Sequence, residues 1–451
     1  MKLDYKKTIL VGFAFFLISA FWQAYDTIVP LILTNKFDMN QTWSGVIMSL
    51  DNVFAVVLLP IFGALSDKVD SKMGKRTPFI LLGTVLAAIL FVALGFAPSL
   101  AMFIGVLLAS LLSMAIFRSP AVALMPDVTI KPLRSKGNAI INLMGTAGGM
   151  IVLAFGILFN TSEKGKVDFA PYMIAVAAVM IVALVIFMIT VKENKWAREM
   201  EEKSKELGLD EAEEEDAEKK PLSKSAYKKM QRRAVKPEVA KVKADPRKLS
   251  KSEFTSLILI LASVALWYIG YNSITSKYSV YATEVLEVPY TVTLLVAQAA
   301  AIISYIPVGM IASRIGRKKT ILAGVVMLTA AFFLASFIKA GTSEILMYAL
   351  FCLAGIGWAT INVNSFPMVV ELAKGGNVGK YTGFYYTASM AAQIVTPVLA
   401  GFCYDNFGWW IFFPYAAFFA GCAFITMFFV KHGDAKPAAP KDKMEMLGAD
   451  D

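Results

Sequence analysis

The sequence predicts an all-α membrane protein of about twelve spanning helices, arranged as two six-helix bundles around a central cavity. Three observations predict it. Of 451 residues, 57% are hydrophobic and only 17% charged, too apolar a balance for a water-soluble fold of this length. The charges gather in short clusters between apolar runs long enough to cross a hydrocarbon core of roughly 30 Å. The second half of the chain also repeats landmarks of the first at a spacing of roughly 245 residues, as a duplicated six-helix unit would. The formal net charge of +10 does not point to nucleic acid. The basic residues sit in loops and not along one amphipathic face, so orientation across a membrane accounts for them.

Apolar runs appear at roughly residues 8–33, 43–65, 78–97, 100–125, 138–159 and 170–191, then at about 254–283, 290–313, 319–338, 343–372, 381–403 and 409–430. The first is too long for a signal-peptide core and no small-residue cleavage site follows it, so it is expected to be retained. This gives a first bundle over 1–191, a charged linker over 192–253, a second bundle over 254–430 and a tail over 431–451. The linker is acidic around Glu211–Asp216 and basic around Lys228–Arg233. Such a composition cannot bury an apolar core, so it reads as a solvated tether with one or two surface helices. Lys and Arg in the short loops and tails number about 20 on the side of the amino terminus and about 4 on the other, which places both termini in the cytoplasm and the protein in the cell membrane.

Between the second and third runs lies GALSDKVDSKMGKRTP, Gly63 to Pro78, a charged turn between two helices. Gly309 to Lys319, GMIASRIGRKK, repeats it in the second half, and Asp127 with Lys136 is echoed by Glu371 with Lys380. Repeats of this kind place a binding site on the pseudo-symmetry axis near the midplane. The pattern G-x-L-S-D, a spacer and G-K-R-x-P resembles the signature loop of the major facilitator superfamily. Its wide spacer and trailing Pro-Phe are most similar to the sucrose transporters and their relatives. The stretch SPAVALMPD, Ser119 to Asp127, resembles the fourth-helix motif of those transporters, with Val122 at the place of its arginine and Leu111 at the place of its coupling aspartate. Around Pro60 to Gly63 the chain also resembles the glycoside-pentoside-hexuronide cation symporters, whose paired second-helix aspartates fall at Ala55 and Leu59. The resemblance implies a major facilitator fold in which Asp67 braces one cytoplasmic end against the other half. Arg76, Asp127, Lys277, Arg314, Arg317 and Glu371 are the further charges expected to work the gates.

Cys352, Cys403 and Cys422 are odd in number, lie in apolar runs and lack ligand-like spacing, so they read as packing residues. His432, the single histidine, lies past the last run. No histidine catalysis, metal site, nucleophile motif or phosphate loop is expected, and no cofactor; a membrane-embedded enzyme is the disfavoured reading.

A charge at mid-bilayer costs roughly 3 kcal/mol, so each one inside a run is a functional candidate. Asp26 in the first run and Asp51 in the second both lie roughly 10–12 Å from the outer end at helical rise. Two neighbouring carboxylates do not ionise together readily, so the pair is expected to bind a proton or another cation; structural pairing, for instance with Lys277, is the alternative. Arg118, roughly 10 Å inside the inner end of the fourth run, suits either a substrate hydroxyl or a carboxylate partner.

Sugars are held by amides, hydroxyls and charges, with aromatic faces against the ring. In the superfamily the first, fourth, seventh and tenth helices line the cavity. Here the first, seventh and tenth carry Trp22, Gln23 and Asp26; Tyr268, Tyr271 and Asn272; and Trp358, Asn362 and Asn364. Asn142, Gln298, Tyr385 and Gln393 could add to the walls; interhelical hydrogen bonds are the alternative for each. Pro30, Pro120, Pro307, Pro367 and Pro397 interrupt helices, as hinges or as static kinks.

The expectation is a secondary transporter moving a sugar or glucoside of the sucrose or maltose kind by alternating access, with a proton. Sodium coupling or no coupling shares every feature but the ion site, and an exporter of drugs or metabolites would want a more apolar cavity. One chain holding both halves makes a monomer the expected unit, with sugar, cation and lipid bilayer as its partners.

Overall fold

A computed structural model describes residues 3–130, 133–207, 249–373 and 378–434. Among these residues twelve helices are long and apolar enough to cross a membrane. Helices 1 to 6 are Tyr5–Leu31, Gln41–Asp67, Thr77–Gly95, Leu100–Asp127, Arg134–Leu158 and Ala170–Thr190. A surface helix, Glu193–Glu206, follows. Helices 7 to 12 are Lys251–Thr275, Tyr290–Ile315, Arg317–Ala335, Glu344–Glu371, Val378–Phe407 and Phe412–Phe428. Polar caps start several of them: Asp4 accepts from the Lys7 N–H, Asn40 from Trp43 and Ser99 from Met102, while Ser250 and Glu253 form a capping box.

Two ends differ from the hydropathy reading. Helix 1 runs on as a wider π-turn, Ile32–Lys36. The expected run 254–283 is not one helix: it stops at Thr275, and a short turn, Tyr278–Val280, and a π-turn, Tyr281–Leu286, complete the stretch. Averaged hydropathy passes over Ser276 and Lys277, but the lysine leaves the helical path to reach across the molecule. Most of the charged linker, 208–248, lies outside the described residues, as does most of the tail; Glu193–Glu206 supplies one expected surface helix.

The two halves pack alike. Helices 1 and 5, 2 and 4, 3 and 4, and 3 and 6 are neighbours in the first half; helices 7 and 11, 8 and 10, 9 and 10, and 9 and 12 are neighbours in the second. The halves meet where helix 2 lies on helix 11 and helix 5 on helix 8.

At the end where helix 1 starts and helix 12 finishes, here the basic end, the same device occurs twice. Arg76, buried before helix 3, gives its Nε to Asp127 at 2.7 Å and its other nitrogens to Asp67 and Ser66. Its counterpart Arg317 gives Nη1 to Glu371 at 2.7 Å. Arg314 is exposed and stands outside that pair. Among the described residues Asp67 is bonded to Arg76, on the loop that it opens. A second acid, not anticipated from the sequence, secures each loop. Glu193 accepts from the N–H groups of Lys75, Arg76 and Thr77 at 2.6, 2.9 and 2.8 Å and from the Thr77 hydroxyl at 2.7 Å. An acid at a helix N-terminus satisfies donors that have no partner inside the helix. Gly74 makes room for it: φ is +117°, and a Cβ there would lie 2.2 Å from the Glu193 carboxyl carbon. Asp434 does the same after helix 12, accepting from the Lys318 N–H at 2.8 Å. The pairs Arg76/Arg317 and Glu193/Asp434 share one spacing, the mark of the duplication.

At the opposite, far end the bonds cross between halves. Asn35 and the Gly165 N–H donate to Glu284 at 2.8 and 3.0 Å, Lys164 to Glu287 at 2.7 Å, and the Tyr290 hydroxyl to Thr161 at 2.7 Å. The hydrogen bond to Glu287 holds the exposed Lys164 amine above the ordinary lysine range. Asp405 of helix 11 caps helix 2 in trans, accepting from the Gln41 and Thr42 N–H groups at 2.8 and 2.7 Å. Beside it a Cβ on Gly45 would lie 2.0 Å from the Pro397 carbonyl oxygen, so the two helices touch backbone to backbone. The far end is closed.

Two outcomes follow. Glu193→Ala strands four donors and Asp434→Ala fewer, so thermal unfolding in detergent should show a loss of about 3 kcal/mol for the first and about 1 kcal/mol for the second; equal losses would contradict the capping account. Gly45→Ala should force helices 2 and 11 apart and expose the far end to a membrane-impermeant thiol reagent; unchanged labelling would show that the contact does not hold the seam.

Candidate functional site

Between the halves, at mid-depth, the chain gathers the charged groups that its helices carry inside the bilayer. Helix 1 places Trp22, Gln23 and Asp26 on successive positions of one turn, because residues three and four apart share a helical face. Asp26 lies in the middle of a spanning helix and is nonetheless exposed, so the space it faces admits water. The bonds that join the halves at the far end lie on one side of that space.

Asp51 of helix 2 and Arg118 of helix 4 complete the first half's contribution. The charges of Asp26, Asp51 and Arg118 act on one another, and the Arg118 guanidinium carbon stands 5.5 Å from the centre of the Trp22 ring, a cation–π placement. Asp51 accepts from its neighbour Asn52, at 2.7 Å from the side-chain amide and 2.6 Å from the N–H. Trp22, Asp51 and Arg118 line one small cleft together with Phe54 and Leu111. Two carboxylates facing one guanidinium leave one negative charge over, which a bound proton or monovalent cation would balance.

The second half supplies the aromatic wall. Tyr271 of helix 7 and Trp358 of helix 10 stack face to face at 3.6 Å and 7°, and Tyr268 meets Trp358 edge-on at 5.3 Å. The charge of Asp26 acts on Tyr271 across the gap, which ties the wall to the carboxylates. A hydrogen bond spans the halves at this depth, from the Gln298 amide of helix 8 to Gln23. The Trp22 indole nitrogen and the Gln298 carbonyl oxygen are buried with no partner among the described residues, polar atoms that an incoming solute could satisfy.

The other expected contacts have these partners and burial. Asn364 is 2% exposed and gives its amide to the Thr360 carbonyl one turn back at 3.0 Å, within helix 10. Tyr385 is buried, with its hydroxyl 2.9 Å from Ser365. Asn272 bonds the Tyr268 carbonyl at 2.8 Å and Gln393 the Ser389 carbonyl at 3.4 Å. The three amides close their bonds one turn back in their own helices, and Tyr385 closes its bond on the neighbouring helix 10. Asn142 and Asn362 are half-buried. Lys277 does not pair with Asp26 or Asp51: its Nζ bonds Ser44 at 2.6 Å, nearer the far end. Sequence reasoning missed Ser44, Asp405, Glu193 and Asp434. A signal existed for the last two, since each is the first acid after the sixth helix of its half.

A family model described as Major Facilitator Superfamily matches residues 11–306 and 292–447. Over 66 residues the chain is 32% identical to the general alpha-glucoside permease of Schizosaccharomyces pombe (strain 972 / ATCC 24843), a stretch that spans 15% of this chain and 12% of that protein. Among solved structures, the nucleoside transporter NupG, crystallised as a point mutant, superposes with a TM-score of 0.65 at 14% identity, covering 94% of this chain and 100% of that one. A peptide transporter of the POT family in complex with 5-aminolevulinic acid superposes with a TM-score of 0.65 at 11% identity, covering 94% and 95%. At such identities the likeness shows the fold. Two pseudo-symmetric six-helix bundles, a mid-depth site between them and a family model matched along nearly the whole chain lead to one conclusion: this chain belongs to the Major Facilitator Superfamily and is a multi-pass membrane transporter.

Proposed function

We propose that the protein carries a sugar or glucoside across the cytoplasmic membrane by alternating access, with a proton bound at Asp26 and Asp51. The basic end faces the cytoplasm on this reading, as the distribution of Lys and Arg favours, so the conformation described is inward-facing. One observation carries the proposal: an aromatic wall, Tyr271 on Trp358, stands across a water-accessible gap from two carboxylates and a guanidinium. Stacked rings suit the apolar face of a sugar, while amides and charges suit its hydroxyls. The short likeness to a glucoside permease points the same way.

In the cycle so read, a proton and a sugar enter from outside when the far end is open. The proton neutralises the surplus carboxylate, and the sugar's hydroxyls satisfy Trp22 and Gln298. Only then does closure bury no unpaired charge or polar group, which couples the two solutes. Release into the cytoplasm follows through the open basic end.

Uptake of labelled mono- and disaccharides into proteoliposomes, with proton and sodium gradients imposed separately, tests the reading. Accumulation of a glucoside with the proton gradient alone is expected. Accumulation driven only by sodium would transfer the carboxylates to a sodium site, and no sugar uptake under any gradient would end the proposal. Asp26→Asn should abolish uphill uptake while sparing sugar exchange; intact uphill uptake would remove the carboxylate from coupling. Trp358→Ala, losing a ring contact worth about 1 kcal/mol, should raise KM roughly tenfold or less with kcat little changed; an unaltered KM would place the sugar elsewhere.

A further inference from the structure

Lys277 is a buried cation that the sugar site does not use. It is 0% exposed, it lies just past helix 7 at the closed far end, and the Ser44 hydroxyl of the other half, 2.6 Å away, is its hydrogen-bond partner. A hydroxyl cannot neutralise an ammonium. The charged groups toward the far end of the elements around this turn include Asp26 of helix 1, Asp51 of helix 2, Glu284 of the following π-turn, Glu344 of helix 10 and Asp405 of helix 11; the others on those helices, such as Lys7, Asp67, Lys251, Arg314 and Lys380, sit at the basic end. Of these, Asp405 is the one whose charge acts on the amine. The nearby tyrosines carry no charge below about pH 9.

Asp405 is committed elsewhere. It receives two N–H groups at the start of helix 2, together with the Thr42 hydroxyl, and those donors belong to the other half. Helices 7 and 11 belong to one half and stay neighbours. When the halves part at the far end, Ser44 and the start of helix 2 leave together, and Lys277 and Asp405 are left facing water and each other. Burial with one neutral partner favours the uncharged amine, and hydration beside a freed carboxylate favours the ammonium.

We propose that Lys277 is a proton-binding site of the far-end gate: its amine takes up one proton when the seam opens and must release it before the seam can close. The lone pair of Nζ accepts the proton from hydronium, water is left, and the ammonium pairs with Asp405; closure reverses each step. This site is separate from the proton ascribed to Asp26 and Asp51, and it rests on the reading above only for the far end facing outside. Acid outside then holds the gate open and alkali lets it shut.

The test uses spin labels on the full chain, at Val167→Cys in the loop before helix 6 and Lys339→Cys in the loop before helix 10, with Cys352, Cys403 and Cys422 replaced by alanine. Both label positions are exposed at the far end. Pulsed dipolar distances are recorded from pH 9 to pH 6 without sugar or ion gradient, so the outcome does not depend on the substrate reading. The open population is expected to rise as pH falls, by up to about tenfold per pH unit for one proton. Lys277→Met should stay closed throughout, and Lys277→Arg, which does not deprotonate, should stay open throughout. Ser44→Ala, which keeps the lysine, should move the midpoint to higher pH. A wild-type pH response in Lys277→Met, a gate that closes normally in Lys277→Arg, or an unmoved midpoint in Ser44→Ala would each overturn the proposal.

Discussion

Hydrocarbon offers no partner to a charge or to an open hydrogen-bonding group, and the rest of the structure depends on that constraint. A lipid-facing helix surface is therefore apolar, and every ionisable group carried to bilayer depth has to face the space between the halves or be paired. Asp26, Asp51 and Arg118 take the first course, drawn into one another's field beside the Trp22 ring. Lys277 takes the second with the least help, one hydroxyl from across the seam. The central site is thus the place left for charge once the apolar helices have packed.

The duplication explains why the two ends behave differently. At the basic end the strong pairs lie within a half: Arg76 with Asp127 and Asp67, Arg317 with Glu371, and the capping acids Glu193 and Asp434 on their own loops. They hold each bundle as a rigid body and leave the halves free to separate there. At the far end the bonds run between halves, from Asp405 to helix 2 and from Asn35 and Lys164 to the acids before helix 8. Rocking one rigid half against the other would break the far-end bonds and leave the basic-end pairs intact inside each half, which is the physical content of alternating access for such a fold.

Much of this was legible in the sequence. Twelve spanning runs, the two halves and the charged loops could be read from hydropathy and repetition, because lipid permits little else. The polar groups of helix 1 and the aromatic groups of helices 7 and 10 were legible as clusters, and Trp22, Asp26, Tyr271 and Trp358 do converge. Depth alone does not give direction around a helix, which is why Asn364 and Tyr385 turn out to be buried against their own bundle. Cross-half partners left no local signal at all: Ser44 is an ordinary serine in sequence, and Asp405 becomes a helix cap only because Gly45 lets helix 11 approach.

The claim on which the account turns is that position 26 borders a water-filled space reached from one side at a time. A thiol placed there by Asp26→Cys, in a background without the three native cysteines, measures it directly in sealed vesicles of either orientation. The account predicts labelling by a membrane-impermeant reagent from the basic side, slowed when a transported solute occupies the site. No labelling from either side would place Asp26 against lipid or packed protein and contradict it.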